Sequence, residues 1–190
     1  MNDKLDLMIQ ERLSNLPTGL IKHIQTVETI SVELATIHGL DIDKARLCAQ
    51  AHDLFRSEKP TTLINMAQKL GIQINAVERE LPILLHGPVA AVTLWKEGMK
   101  DPEIYQGIYY HSTACPGLMP VGKTVFLADK LDPRKIKRYP YLPSLLTLSK
   151  KSLDEGLMEF LTKQLAYHIE HDELVHPAFL AARNELLLNK

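Results

Sequence analysis

Cysteine, excess charge of one sign and long apolar runs are all scarce in this 190-residue sequence. The two cysteines, Cys48 and Cys115, are too few for a disulfide framework, which indicates reduced thiols. The 22 Lys and Arg residues against 23 Asp and Glu residues leave a net charge of -1. The chain therefore lacks the overall basic footprint that nucleic acids or anionic membranes attract, and only a local basic patch could serve such a partner.

No stretch of the sequence approaches the ~20 apolar residues that a membrane-spanning helix needs. Lys22, His23 and Glu28 interrupt the first apolar stretch, and His86 and Lys96 bracket the next. The first residues already mix charged and apolar side chains, which is not the pattern of a signal peptide. We therefore expect a cytoplasmic protein without a membrane span.

Composition and length predict one globular domain. Hydrophobic residues make up 45% of the chain and charged residues 24%, without a low-complexity tract. At ~100–200 residues per domain, this length fits one domain over residues 1–190. We expect a core over about 18–135 and C-terminal helices over about 141–190.

Helical periodicity dominates the sequence, and no run alternates apolar and polar residues long enough to predict a strand. Apolar residues recur at helical spacing from Leu20 to Ile37, and Gly39 follows where a left-handed helix end is expected. The other predicted helices run from Asp41 or Asp43 to about Phe55, from Thr61 or Thr62 to Gly71, from Asn75 with a break at Pro82 to Lys96, from Asp101-Pro102 to near His111, through Val125 and Asp129, from about Ser144, from Ser152 to His171, and from Pro177. The predicted fold class is all-α, with a loop over 112–120.

Histidines and acidic residues recur in a spaced series: His23, His52, Asp53, His86, His111 and Asp129. Helical spacing turns His23 and His52 toward the core, since the first heads an apolar stripe and the second follows Cys48 by one turn. Imidazoles and carboxylates together are the ligand set of a divalent first-row metal. A single inward histidine is more often an ordinary core residue, so the whole series carries this hypothesis.

The chain contains a second His-Asp pair, His171-Asp172, close to His168. We predict that this pair lies in the helix that begins at Ser152 and belongs to its solvated face. A lone His-Asp dipeptide is therefore weak evidence for a metal site.

The order and spacing of the first series resemble the HD-domain metal-dependent phosphohydrolase superfamily. Within it, the chain resembles the YqeK family of symmetrical bis(5'-nucleosyl)-tetraphosphate hydrolases over roughly residues 10–188. Five segments carry the resemblance, in order: KHIQTVETISVELATIHGLD, AHDLFR, LLHGPVAA, YYHSTACPGLMPVGKTVFLADKLDPR and VHPAFLAARNELL. The resemblance implies a helical bundle around a metal site.

The resemblance also implies which residues hold the metal. The implied ligands are His23, His52, Asp53 and Asp129. Iron is the expected metal, with manganese and cobalt as alternatives. One site is expected, although in some HD proteins the residues matching His86 and His111 complete a second one.

Further positions match the substrate side of the family's site. His86 and His111 match residues that face the phosphates, and Thr26 and Arg134 match positions near the bound nucleotide. Arg56 stands where a lysine commonly follows the HD step. The implied partner is a dinucleoside polyphosphate such as diadenosine tetraphosphate, cleaved at its middle into two nucleoside diphosphates.

The metal chemistry follows from general principles. A bound divalent metal lowers the pKa of water and polarises a phosphoryl oxygen, and Asp53 or a carboxylate behind the metal ligands could orient that water. His86 and His111, with an unperturbed pKa near ~6.5, could neutralise charge on the phosphates or donate a proton to the leaving group. These residues form the predicted catalytic set.

The sequence departs from the family after His111, where a Thr-x-Gly-Arg pattern is usual. Here Ser112 to Cys115 lack the glycine and the arginine, and we expect Cys115→Arg to restore a phosphate contact. This departure leaves two alternatives open. The chain could be an HD phosphohydrolase acting on another nucleotide phosphate ester, or a non-catalytic module that binds a nucleotide or a metal.

Two further features have ordinary explanations. Lys135, Lys137 and Arg138 with Tyr139 and Tyr141 are predicted to form a solvated connector near the phosphate site rather than an RNA-binding surface. A stripe of apolar residues from Leu145 to Leu161 predicts core packing, although part of it could form the face of a homodimer.

Overall fold

The computed structural model describes residues 3–137 and 139–189 and is all-α over that part of the chain. The predicted fold class is confirmed. Arg138 of the predicted connector and the end residues of the predicted 1–190 domain, at positions 1, 2 and 190, lie outside the described residues. No described helix is long and apolar enough to cross a membrane.

Eleven α-helices follow one another in the described residues, with two short 3₁₀ helices between them. The α-helices are α1 (Asp3–Ser14), α2 (Thr18–Ile37), α3 (Ile42–Ala51), α4 (Pro60–Leu70), α5 (Ala76–Glu80), α6 (His86–Lys96), α7 (Pro102–Tyr109), α8 (Pro120–Lys130), α9 (Leu142–Lys151), α10 (Leu153–Glu170) and α11 (Pro177–Leu188). The 3₁₀ helices, Pro82–Leu85 and Pro133–Lys135, precede α6 and follow α8.

Side-chain caps fix where several helices begin. The Asp41 carboxylate accepts a hydrogen bond from the Lys44 amide, and Asp101 does the same at the start of α7. Ser152 caps α10, and Gly71 ends α4 with a φ of 77°. These caps were predicted because their chemistry is local to a few residues.

Two predicted helix ends are wrong. The helix from Asp41 ends at Ala51 rather than Phe55, since the His52 ring bonds the Ala49 carbonyl that the next helical turn would use. The chain continues in turns through Asp53. The helix from Ser152 ends at Glu170, so His171-Asp172 does not lie in it: His171 caps the helix and Asp172 takes a left-handed φ of 52°.

Two hydrophobic clusters share helix α8. Val121 and Val125 of α8 pack in the first cluster with α1, α3, α4, α6 and α7. Phe126 and Leu127 pack in the second cluster with α9, α10 and α11, where the predicted apolar stripe also lies. Because α8 is fixed from both sides, the residues at its C-terminal end have a defined position.

Close contacts set the crossing of α8 with its neighbours. A Cβ atom at Gly122 would lie 2.8 Å from Cδ1 of Leu118 and 3.2 Å from Cα of Gly107, so only glycine allows α7 and α8 to approach this closely. On the other side, the hydroxyls of Ser31 and Thr124 form a buried hydrogen bond of 2.9 Å between α2 and α8. These contacts bring the ends of α2, α3, α7 and α8 together.

Candidate metal centre

The structure brings all six residues of the predicted series into one cluster. His23 comes from the first half of α2 and Asp129 from the last turn of α8. The other four follow α3, begin α6 or follow α7: His52, Asp53, His86 and His111. Because the cluster joins the ends of several helices, the packing of those helices fixes its geometry.

Asp53 lies at the middle of the cluster. Its Oδ1 is 2.9 Å from Nε2 of His86 and 3.6 Å from Nε2 of His111. Its Oδ2 is 3.6 Å from Nε2 of His23, which in turn lies 3.0 Å from Oδ1 of Asp129. The two carboxylates therefore share Nε2 of His23 as a common neighbour.

Three of the four imidazoles are each held by the backbone carbonyl of the residue three positions earlier. The Nδ1–H of His52 donates to Ala49 at 2.6 Å, that of His111 to Ile108 at 2.8 Å, and that of His86 to Ile83. When Nδ1 of a neutral imidazole carries the proton, Nε2 presents a lone pair. All three lone pairs are then available to a cation at the centre.

His23 is held differently, because its Nδ1 lies 2.7 Å from Oδ2 of the buried Asp132. A carboxylate behind a histidine fixes the ring and strengthens the other nitrogen as a metal ligand. The Nε2 of His23 consequently faces Asp53 and Asp129.

The donor set fits a divalent cation. Nε2 of His52 is buried, lies 3.4 Å from Oδ2 of Asp53 and has no hydrogen-bond partner among the described residues. Ligand atoms of His23, His52 and Asp129 lie within 4.8 Å of one another, as do those of His52, Asp53 and His111. A buried nitrogen without a partner is costly, so the orphaned lone pair of His52 is the observation that favours a metal here.

The electrostatics keep the two carboxylates ionised. Burial alone would raise the pKa of Asp53, but the neighbouring histidines His52, His111 and His86 hold that pKa well below its usual value. Burial opposes ionisation of Asp129 as well, yet Lys130 and Lys135 bring its pKa well below the usual range. Burial lowers the pKa of His111 to about 3. The centre therefore offers anionic oxygens and a neutral imidazole.

A cavity of about 640 Å³ opens onto the cluster. One group of lining residues, the floor, consists of metal-cluster residues and the cations Arg56, Lys130 and Lys135. A second group, the wall, is mostly apolar and aromatic: Leu81, Ile83, Leu84, Tyr139, Phe160, Gln164, His168, Leu174, His176 and Phe179. The cavity thus has a charged floor and a largely apolar wall.

The predicted substrate residues differ in their positions. Arg56, His86 and His111 line the cavity. Thr26 donates its hydroxyl hydrogen bond to the Lys22 carbonyl and is not among the cavity residues. The Nε–H of Arg134 donates a hydrogen bond of 3.0 Å to Oδ1 of Asp132, and Arg134 is also not among the cavity residues.

Cys115 does not lie where the family resemblance predicts a phosphate contact. Its side chain is buried in the second hydrophobic cluster and borders a different cavity, of about 540 Å³. An arginine at this position would bury a charge in the core, so the expectation for Cys115→Arg is wrong on physical grounds.

Sequence reasoning missed three charged residues of the site. Asp132 orients His23, Lys130 bonds Oδ2 of Asp129 at 2.5 Å, and Lys135 bonds its Oδ1 at 2.8 Å. Lys135 had been assigned only to the solvated connector. Their closeness to Asp129 in sequence was the available signal, but Asp132 and His23 are 109 residues apart.

Comparison with known proteins agrees with this geometry. The family model described as HD domain matches residues 20–134, a range that contains all six residues of the cluster. A Halalkalibacterium halodurans protein named "Bis(5'-nucleosyl)-tetraphosphatase, symmetrical" is 28% identical, and the match covers 89% of each chain. A Bacillus subtilis protein of the same name is 26% identical, covering 94% of this chain and 97% of its own.

A solved structure shares the fold. The crystal structure of a predicted HD superfamily hydrolase involved in NAD metabolism from Clostridium acetobutylicum superposes with a TM-score of 0.90, covering 97% of both chains at 23% identity. The predicted resemblance to the HD superfamily is confirmed, and the family model spans more than half of the sequence. This chain belongs to the HD domain family.

Proposed function

We propose that this protein is a metal-dependent phosphohydrolase that cleaves dinucleoside tetraphosphates, such as diadenosine tetraphosphate, into two nucleoside diphosphates. The observation that carries the proposal is the convergence of buried imidazoles on Asp53, with an orphaned His52 nitrogen, at the floor of a cavity lined by cations. The names of the two relatives support the substrate.

Four residues are proposed to hold the metal: His23, His52, Asp53 and Asp129. Iron is the proposed metal, with manganese and cobalt as alternatives, and Asp53 with His86 and His111 is the proposed place for a second ion. A divalent metal supplies Lewis-acid polarisation of a phosphoryl oxygen and a lowered pKa of water.

The cations on the floor are proposed to bind the phosphates. The Lys130 ammonium is held by Asp129 and by the His111 carbonyl, 3.2 Å away. Lys135 reaches Asp129 from the other side, and Arg56 lines the same cavity. Charge-assisted hydrogen bonds from these groups would offset the negative charge of a polyphosphate chain and position it.

His86 and His111 have the remaining roles in the proposed mechanism. Nε2 of His86 and Nε2 of His111 lie 2.9 Å apart beside Asp53, and the Ser112 hydroxyl is 3.0 Å from the latter. In this proposal Asp53 orients the attacking water and the two histidines contact the phosphate oxygens. The attacking water loses a proton to solvent as its oxygen bonds to phosphorus, and a P–O bond of the middle bridge breaks. The two halves leave as nucleoside diphosphates, one with the water oxygen and the other with the bridging oxygen.

Product analysis tests this proposal. The purified protein is reloaded anaerobically with Fe(II), and separately with Mn(II) or Co(II), and its products from diadenosine tetraphosphate are separated by chromatography. We expect two equivalents of ADP, absent with Asp53→Ala and unchanged with the surface control His171→Ala. AMP with ATP as products, or no turnover with metal bound, contradicts the proposal.

A further inference from the structure

Much of the cavity wall comes from a part of the chain that follows the HD match. The family model ends at residue 134, whereas Tyr139, Phe160, Gln164, His168 and Phe179 line the wall and follow that match. A nucleotide is divided in the same way, into a charged phosphate chain and a flat, largely apolar base. The C-terminal helices therefore contribute apolar and aromatic side chains to the part of the cavity that suits a base.

A chain of hydrogen bonds on this wall fixes the orientation of one carboxamide. Nδ1 of His168 lies 2.7 Å from Oε2 of Glu173, and because a carboxylate only accepts, that nitrogen donates. In the tautomer that carries the ring proton on Nδ1, Nε2 of His168 is an acceptor. Nε2 of Gln164 lies 3.2 Å away and donates to it. The carboxamide oxygen of Gln164 consequently points away from His168.

That oxygen lacks a partner. Gln164 is 6% exposed, and its Oε1 is buried without a hydrogen bond from any described residue. Buried side-chain acceptors are normally satisfied, so each exception needs an explanation, and a donor group on a bound ligand is one. Of the described residues, His52 supplies the other such atom, which faces the metal cluster. The two orphaned atoms belong to residues of the metal cluster and of the cavity wall, respectively.

We propose that Gln164 is the specificity-determining residue of a nucleobase subsite, where its Oε1 accepts a hydrogen bond from the exocyclic amino group of adenine. Phe160 and Phe179 border the apolar part of the ring. The identity of the ligand as a nucleotide rests on the proposed function. The inference adds the base preference and assigns it to α10 and α11, outside the HD match.

Binding of two diphosphates that differ by one group tests the subsite. Isothermal titration calorimetry of the metal-loaded protein compares ADP with purine riboside 5'-diphosphate, which lacks only the amino group. We expect the parent to prefer ADP by about tenfold, since an unmatched buried polar group costs affinity. Gln164→Met removes the acceptor at similar volume and should bring the ratio close to one. Gln164→Leu provides a second apolar variant.

The matched control is Gln68→Leu, the same change at an exposed position of α4 away from the cavity. It should keep the parent's preference. Equal binding of the two diphosphates to the parent, or an undiminished preference in folded Gln164 variants, overturns the subsite.

Turnover separates this inference from the proposed function. If diadenosine tetraphosphate is cleaved but the Gln164 variants keep the preference for ADP, the subsite is wrong and the reaction stands. If the substrate is not cleaved but the preference depends on Gln164, the subsite stands and the reaction is wrong. In an active enzyme, Gln164→Met should raise KM by about tenfold and leave kcat nearly unchanged.

Discussion

The chain contains the dipeptide His-Asp twice, at 52–53 and at 171–172, each time directly after the last residue of a helix. Each histidine caps the C-terminal end of a helix, and each bonds through Nδ1 to a carbonyl of its own helix, Ala49 or Tyr167. The first histidine is fully buried, whereas the second is exposed and stacks on Tyr167 at 4.0 Å.

The difference lies in the partners from elsewhere in the chain. Asp53 is surrounded by imidazoles from α2, α6 and the end of α7, whereas Asp172 stands in a left-handed turn that faces solvent. The same two residues can therefore be a ligand pair or a helix end. Convergence of other donors, rather than the dipeptide, makes a metal site.

The largest expected effect on metal binding and activity comes from substituting His52, the buried histidine of the two His-Asp pairs. His52→Ala deletes the orphaned nitrogen that we assign to the metal, so the protein should lose both bound metal and hydrolysis. The metal content after purification, measured by mass spectrometry of the acid digest, checks this. Iron retained in parent stoichiometry would refute the assignment of the ligands.

A smaller loss is expected from the group behind a ligand. Asp132→Asn keeps the shape of the side chain but weakens its hold on Nδ1 of His23. Loss of such a supporting partner typically costs ~10–100-fold in metal affinity. The matched control is Asp172→Asn, because asparagine also tolerates a left-handed turn. Competition with a metal chelator gives the affinities, and equal values for the two variants would contradict the role of Asp132.

The sequence could predict features that depend on neighbouring residues, but not contacts between residues that are far apart in the chain. Helix caps such as Asp101 and Ser152 depend on neighbours within a few residues, and the six cluster positions followed from their order and the family resemblance. Helix α1 was not predicted, although its buried Leu5 and Ile9 are one turn apart. Asp132 and Gln164 could not be assigned, since their partners or cavity depend on how distant helices pack.

Metal binding should also raise the thermal stability of the protein, and this increase should depend on the His52-Asp53 pair. A ligand at 100 times its Kd stabilises the folded state by ~2.7 kcal/mol, and ~1 kcal/mol shifts the Tm of a chain of this size by ~2–4 °C. Saturating Mn(II) should therefore raise the Tm of the parent by about 5–10 °C. In His52→Ala the shift should vanish, and differential scanning fluorimetry with and without chelator measures it. A full shift in that variant would place the metal elsewhere.

The smallest effect is expected from His171→Ala, the exposed counterpart. Among the described residues the ring stacks on and bonds to Tyr167 of the preceding helix, so its removal should change the free energy of unfolding by less than ~0.5 kcal/mol. Metal content and the rate of ADP formation should equal those of the parent, because the cluster and the cavity do not include this residue. Urea denaturation, metal analysis and product chromatography measure the three quantities on one preparation. A loss of metal in His171→Ala would mean that the wrong His-Asp pair has been assigned to the centre.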